Sequence, residues 1–260
     1  LAWVVYFSSS RERRRIRKNL QAAGFTDPET LQQTVTEHGK GLMELPALWL
    51  RSSREIAALV QQVNGIEVVE AAEQVGRGIV YLTPHLGSFE VAAQWLALRA
   101  PMTVLYRPPR RSELEPLMLA GRNKEGMKTA TTDLKGVRVL LRALRKHETI
   151  GMLPDQVPSK GEGEWADFFG RPAYTMTLAT RLAETSGSPI VTCYSRRLPH
   201  GAGFELNFAA MPERLQGESD ARWVNRAMEE MIARCPSQYL WSYRRHKRPK
   251  GVGPPPAIAD

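Results

Sequence analysis

The sequence predicts an α/β protein, with a single mixed sheet covered by helices and preceded by a helical N-terminal segment. Three observations carry that expectation. From residue 66 onward, short runs of β-branched and aromatic residues alternate with amphipathic stretches of helical period, the pattern of strands joined by helical crossovers. Ahead of residue 66 the apolar residues keep helical spacing only. The chain has 260 residues, 42% hydrophobic and 24% charged, enough core for one large domain or two small ones. That composition excludes a disordered, collagenous or low-complexity protein.

Taken in order, residues 12–23 read as a basic helix closed by Gly24. Asp27 and Pro28 open a second helix over 28–50, with Leu31, Val35, Leu42, Leu45 and Leu48 apolar. A short helix follows over 54–62. Residues 66–69 and 78–83 read as strands, 89–98 as a helix, and 102–106 as a strand. A helix over 114–124 and a strand over 127–131 come next. The stretch 137–146 is a strongly amphipathic helix, and 149–153 a strand. The remaining elements are a helix over 175–185, strands over 190–195 and 204–208, and a long helix over 221–234. The tail from Gly251 is rich in Pro and Gly and reads as loose. There is no internal repeat.

The formal net charge is +9, and it is unevenly placed. Residues 11–18 read RERRRIRK, net +5, and residues 244–250 read RRHKRPK, also net +5, so the rest of the chain is net −1. A protein that wraps a duplex would spread its charge over the body, and no basic strands interleaved with aromatics mark a single-strand binder. No nucleic acid partner is therefore expected. The two runs fit either solvated surface segments or attraction to anionic lipid. The first run follows seven consecutive apolar residues, LAWVVYF. Seven is too few to span a bilayer, which needs about 20. Because the chain begins with Leu, these residues read as the tail of a longer apolar segment, and the apolar-then-basic order as juxtamembrane. A mean hydropathy of −0.36 excludes a polytopic membrane protein. Two cysteines, Cys193 and Cys235, make no disulfide scaffold.

The stretch Ile79-Val-Tyr-Leu-Thr-Pro-His-Leu-Gly-Ser-Phe-Glu90 carries the chemistry. A buried strand ends at Thr83, and Pro84 stops its ladder. His85 then falls at the C-terminal edge of the sheet, where α/β proteins place ligands. Glu90 lies in the first turns of the next helix, from which its carboxylate can fold back on the imidazole. That pairing would make His85 a general base and Glu90 its orienter. Gly87 would let a substrate approach the backbone. The same spacing also fits a helix-capping His with a surface Glu. Ser88 lacks the Gly-x-Ser-x-Gly context of a nucleophile. No zinc-binding, Cys-x-x-Cys, Walker or dinucleotide motif is present, so neither metal nor cofactor is expected. His38, His147, His200 and His246 lack motif partners and read as structural or solvated.

With His85-x-x-x-x-Glu90 in place, the chain resembles the late acyltransferases of lipid A biosynthesis, the lauroyl/myristoyl acyltransferase family. Further blocks follow in the family's order over about 25–250: Tyr106-Arg-Pro108, Arg122 with Gly126, Gly151-Met-Leu-Pro-Asp-Gln156, Phe168-Phe-Gly-Arg-Pro-Ala173, and Gln238-Tyr-Leu-Trp241 followed by Arg244 and Arg245. The membrane helix usual at the family's N-terminus is nearly absent from this sequence. The resemblance implies a glycerolipid-acyltransferase-like fold, with residues 1–24 membrane-proximal, 25–250 the acyltransferase domain and 251–260 the tail. It implies O-acyl transfer without a covalent enzyme intermediate, from a thioester on acyl carrier protein (or acyl-CoA) to a hydroxyl of an anionic lipid A precursor. The site would lie at the cytoplasmic face of the inner membrane, with the protein peripheral or anchored by its N-terminal segment.

An acyl thioester is already activated, so the acceptor hydroxyl needs only a base, the role given to His85. Oxyanion stabilisation falls to Arg107 or to a backbone N–H near Gly87. Arg122 and Arg171 are candidates for holding a phosphate of the lipid or of phosphopantetheine, or else make surface ion pairs. Asp155 and Gln156 follow a strand end, as His85 does, and are expected to shape the site or else to form a turn. Phe168, Phe169 and Tyr174 fit either an acyl channel or core packing. Two alternatives remain: an acyltransferase acting on a lysophospholipid or glycolipid, and a non-catalytic binder of anionic membrane or nucleic acid.

Overall fold

The computed structural model describes residues 9–109 and 112–256. The apolar opening at 1–7 and the end of the tail lie outside the described residues. The chain divides into two units. The sheet unit comprises Gly41–Leu153 and Arg181–Met211, and the hairpin unit Leu1–Lys40, Pro154–Thr180 and Pro212–Asp260.

In the sheet unit a short helix α3, Ser53–Ala57, is set by a capping box. The Ser52 Oγ accepts from the Glu55 N–H at 3.2 Å, and the Glu55 carboxylate accepts from the Ser52 N–H at 2.7 Å. Nine strands form among the described residues, and seven of them make one mixed sheet. These are β1 Val60–Asn64, β2 Val80–Leu82, β3 Met102–Tyr106, β4 Met127–Thr131, β5 Thr149–Met152, β8 Ile190–Arg197 and β9 Phe204–Ala210, in the order β1-β9-β8-β2-β5-β3-β4. Only β8 with β9 is antiparallel. Helices α4 Ile66–Gln74, α5 Phe89–Ala97, α6 Glu115–Arg122 and α7 Leu134–Arg145 flank it. The core includes Ile79, Tyr81, Val91, Leu96, Val104 and Leu206. Every side chain of β2 is buried, as a central parallel strand requires. The expected α/β fold with a mixed sheet is what forms.

Gly126 shows why one motif position is glycine. Its φ is 77°, and a Cβ there would lie 2.1 Å from the Ala97 carbonyl oxygen. Only glycine closes the turn from α6 into β4.

The hairpin unit holds α1 Ser10–Ala22, the antiparallel pair β6 Gly163–Phe168 and β7 Arg171–Met176, and α9 Asp220–Arg234. Helix α2, Pro28–Trp49, and helix α8, Leu178–Ser186, each span a unit boundary. In α1, Ile16 and Leu20 are buried at a spacing of four, while Arg11, Arg14, Arg17 and Lys18 are exposed.

The boundaries correct several expectations. Residues 66–69, read as a strand, open α4. Gly65, in the left-handed region at φ 74°, ends β1 and precedes that helix. The helix expected over 54–62 stops at Ala57, and β1 follows. The helix expected from 175 starts at Leu178, because Thr175 and Met176 complete β7. The β6–β7 hairpin was not expected at all. Its two-residue turn, Phe169-Gly170, has φ of 49° and 67°. Such turns usually carry Asn or Gly first, and a bulky residue there hides the signal. The Phe169 ring packs against Phe25, Phe168 and Trp241, and its N–H donates to the Glu229 carboxylate at 2.8 Å. The C-terminal basic run is not uniformly solvated either, since Arg245 is only 3% exposed.

Candidate active site

The site is built where β2 ends. The Thr83 N–H still donates to the Met152 carbonyl on β5 at 3.1 Å, after which Pro84 breaks the ladder. The chain turns tightly, with the Leu86 N–H on the Pro84 carbonyl at 2.7 Å. Gly87 adopts φ 57° and bridges to Ser195 on β8, and the Ser88 N–H donates to the Ser195 carbonyl at 2.9 Å. This one contact ties the turn to the neighbouring strand and sends the chain into α5. His85 is half-buried in the turn, its ring edge-on to Phe89 with centroids 5.2 Å apart.

Glu90, in the first turn of α5, is only 4% exposed. Its Oε1 accepts from Arg122 Nε at 2.8 Å and also from Nη2. Arg122 arrives from the last turn of α6. A buried carboxylate without a cation would be costly, so the two residues form one unit. Residue 122 was expected either on a phosphate or in a surface ion pair; the structure pairs it with Glu90, and the pair is mostly buried.

Glu90 and Arg122 line an open cavity enclosing about 490 Å³ of space, open solvent included. The rest of its wall is Phe89, Ala92, Ala93 and Leu96 of α5 with Met102, Val104 and Leu105 of β3. Tyr81, Thr83, Gly151, Met152, Leu153 and Cys193 complete it. Burial pushes the Cys193 thiol up to about 12, and burial first, with the Cys193 neighbour second, raises the Tyr81 phenol. At neutral pH the lining therefore carries no charge apart from the Glu90–Arg122 pair. Sequence reasoning missed this wall. Its signal is the alternation along the strands, with Tyr81 and Thr83, and Met102 and Val104, facing the same way.

The other expected residues are placed as follows. Arg107, in the sheet unit, is exposed just past β3. Next to it the Tyr106 hydroxyl donates to Glu115 at 3.0 Å, fixing the start of α6. Burial, then that hydrogen bond, raises the Tyr106 phenol. Asp155, Gln156 and Arg171 belong to the hairpin unit. Asp155 is 2% exposed and hydrogen-bonds Tyr239, whose phenol is held well above its ordinary value by burial first and by Asp155 second. Gln156 is half-buried.

Arg171 lines a second cavity, of about 300 Å³, with Asn19, Phe168, Phe169, Trp241 and Arg245 among its walls. Its buried Nη1 finds no partner among the described residues. Arg245, unforeseen inside the basic run, donates to the Tyr174 carbonyl at 2.7 Å, Thr175 Oγ1 at 2.5 Å and Asn225 Oδ1 at 3.0 Å, and lies over the Phe168 ring. Phe168, Phe169 and Tyr174 do not line the larger cavity; they pack in the hairpin unit. No cluster that could hold a metal is found among the described residues.

Comparison with known sequences gives the family. Residues 1–248 match the profile described as bacterial lipid A biosynthesis acyltransferase. A lipid A biosynthesis lauroyltransferase of Escherichia coli (strain K12) is 30% identical over 219 residues, covering 82% of this chain and 71% of that protein. A lipid A biosynthesis palmitoleoyltransferase of the same organism is 27% identical over 217 residues, covering 82% and 70%. A phosphatidylinositol mannoside acyltransferase of Mycobacterium tuberculosis (strain CDC 1551 / Oshkosh) is 23% identical over 212 residues, covering 77% and 66%. With a largely apolar cavity walled in part by the Glu90–Arg122 pair, and a family match over nearly its whole length, the chain belongs to the bacterial lipid A biosynthesis acyltransferase family and is an O-acyltransferase.

Proposed function

We propose that this enzyme moves a fatty acyl chain from an acyl-carrier thioester to a hydroxyl of a lipid A precursor. The observation that carries the reading is the largely apolar cavity whose wall includes Glu90 and Arg122, with Thr83 and Phe89 from either side of the turn bearing His85. An alkyl chain suits a wall with no other charge. His85 takes the proton of the acceptor hydroxyl as its oxygen attacks the thioester carbonyl. The tetrahedral intermediate then collapses, the C–S bond breaks, and His85 returns the proton to the leaving thiolate. Glu90 stabilises the imidazolium across the turn, and Arg122 positions Glu90. Arg107, exposed at the end of β3, is available to an acceptor or carrier phosphate. Arg171 is a second candidate for phosphate, and Asp155 and Gln156 are assigned a shaping role and no chemical one.

Donor and place follow the same reading: acyl carrier protein or acyl-CoA as donor, at the cytoplasmic face of the inner membrane. Among the described residues no helix is long and apolar enough to cross a membrane. The exposed arginines of α1 contribute peripheral attraction, on the order of 1 kcal/mol for each residue near an anionic surface. A second acceptor class, a glycolipid, is favoured by the likeness to a phosphatidylinositol mannoside acyltransferase.

Mass spectrometry of lipid A precursor incubated with a mixed pool of acyl-carrier thioesters tests the reading. A gain of one acyl group is expected with the native chain, and almost none with folded His85→Ala or Glu90→Ala. Full transfer by folded His85→Ala would remove the base assignment. Acylation of a mannolipid alone would move the acceptor to the second class.

A further inference from the structure

The Glu90–Arg122 pair reaches between two helices on a long arginine stem, and a stem with several rotatable bonds does not by itself fix the backbone it grows from. A second bond crosses the same gap. Gln94 lies four residues beyond Glu90 on α5, one turn along the same face, and is 1% exposed. Its Nε2 donates to the Gly121 carbonyl at 3.2 Å, and Gly121 is the residue before Arg122 in the last turn of α6. That carbonyl is among the last four of its helix, which have no N–H partner inside it.

The amide is fixed at its other end too. Its Oε1 accepts from the Ser53 Oγ at 2.6 Å, and Ser53, itself buried, opens α3, which packs on α5. A backbone carbonyl only accepts, so it demands the nitrogen end of the amide, and the hydroxyl takes the oxygen end. A flipped amide would set oxygen against oxygen.

The end of α6 is also held from α2. A Cβ on Gly121 would lie 2.5 Å from the Trp49 side chain, so only glycine fits there. The Lys124 ammonium donates to the Leu48 carbonyl at 3.0 Å and to that of Arg51. Arg122 therefore springs from backbone pinned just before it and just after it. Gln94 is the pin that comes from the helix carrying Glu90, so it sets the root of the arginine stem against the carboxylate. Neither Gln94 nor Ser53 lies in the wall of the acyl cavity.

We propose that Gln94 is a positioning residue for acyl transfer: by tying the Gly121 carbonyl to α5, it sets where the Arg122 guanidinium meets Glu90. Its effect on turnover rests on the role given to Glu90 above. A displaced pair no longer holds the carboxylate where the imidazolium forms, so turnover falls and acceptor binding does not.

The test is steady-state acyl transfer, per folded enzyme, by the native chain, Gln94→Met, Arg122→Met, the double variant of these two, and Glu90→Gln. Methionine keeps the length of the stem and removes both hydrogen bonds. Gln94→Met is expected to lower kcat about tenfold, with KM for the acceptor within about twofold of native. In the Arg122→Met background the same substitution is expected to change kcat less than about twofold. A residue that only supports the fold would lower the yield of folded enzyme and leave kcat alone, or lower kcat by one factor in both backgrounds; either result overturns the proposal. Native kcat in Gln94→Met beside a depressed Glu90→Gln overturns it and leaves the role of Glu90 standing. Native kcat in Glu90→Gln removes that role and overturns the proposal with it. Urea unfolding of the same proteins reads the tie without turnover. The losses of Gln94→Met and Arg122→Met together are expected to fall short of their sum, and strict additivity overturns the tie whatever the acceptor proves to be. Ser53→Ala, which deletes one hydroxyl, covers a Gln94→Met chain that does not fold. Its kcat is expected to be about threefold lower, an effect lost in the Arg122→Met background, and an unchanged kcat overturns the proposal.

Discussion

The Glu90–Arg122 pair makes the sharpest demand on the structure. Glu90 is 4% exposed, and the Arg122 side chain 17%. Arg122→Met keeps most of the stem and removes the charge, leaving a buried carboxylate without its cation. Breaking a buried pair in this way costs about 3–5 kcal/mol. Arg122's partial exposure, and the cavity beside it, put the expected loss near the lower end, about 3 kcal/mol. For a chain of this size, that lowers Tm by about 6–12 °C. Glu90→Gln leaves the guanidinium with water and a neutral acceptor and is expected to cost less. In the double variant the two losses should fall short of their sum by about 2 kcal/mol or more, the mark of groups that act on each other. Urea unfolding of the native chain, both singles and the double variant supplies the cycle.

The same four proteins settle what Arg122 does in turnover. If it acts by holding Glu90, adding Arg122→Met to Glu90→Gln costs little further activity, and the single variant loses kcat with little change in KM. If it binds the acceptor's phosphate instead, its loss appears in KM for the acceptor and multiplies with that of Glu90→Gln. Strict additivity in both stability and kcat/KM would refute the unit that the geometry describes.

Two further outcomes follow from the geometry. A Cβ at Gly151 would meet Val104 Cγ1 at 3.2 Å and Met102 Cε at 3.3 Å, both in the cavity wall, so Gly151→Val is expected to shift the transferred acyl chain to shorter lengths, read from the product masses. His246 is held down to about 4 by burial first, with the nearby positive charges of Arg171, Arg245 and Lys18 adding to it and its hydrogen bond to the Pro172 carbonyl opposing it. Its native value lies below the ordinary 6.5, so above that pH neither state is charged and His246 contributes nothing to pH dependence. As pH falls from 6.5 toward 4, the unfolded chain takes up a proton that the native state refuses, and about 3 kcal/mol of stability is lost. Urea unfolding across that range should show a loss that His246→Phe abolishes.

What the sequence revealed and concealed follows a physical line. The strand from Ile79, its stop at Pro84 and the helix from Phe89 rest on local signals, burial period and backbone chemistry, and they were legible. So were β3, β4, β5 and α7, each a strong period bounded by breakers. The partner of Glu90 was not, because Arg122 is brought to it by a helix 32 residues away, and nothing local to either residue announces the contact. The cavity was invisible for a related reason: it is a sum of side chains from four strands and two helices. At 66–69 an apolar run of helix-compatible length misled, since Ile66, Val68 and Val69 fit a strand as well as the first turn of α4.

The hairpin unit gives these limits a consequence for motif reading. The Phe168–Ala173 block and the Gln238–Trp241 block stand about 70 residues apart in the sequence and resemble family signatures as strongly as the His85 block does. In space they meet: the Phe168 and Tyr239 rings lie 6.4 Å apart and Phe169 and Trp241 5.8 Å apart. Arg245 stacks on Phe168 at 5.1 Å while bonding Thr175 and Asn225. Phe169 holds its left-handed conformation because that aromatic cluster and the Glu229 carboxylate fix it there. Most of these residues are thus committed to one another, and a substitution among them should act on stability before it acts on turnover. The blocks of the sheet unit are different, since Glu90 and Arg122 pair in the wall of an otherwise uncharged cavity, and His85 stands in the turn before Glu90's helix. A motif can therefore mark either kind of constraint, and what its side chains touch decides which.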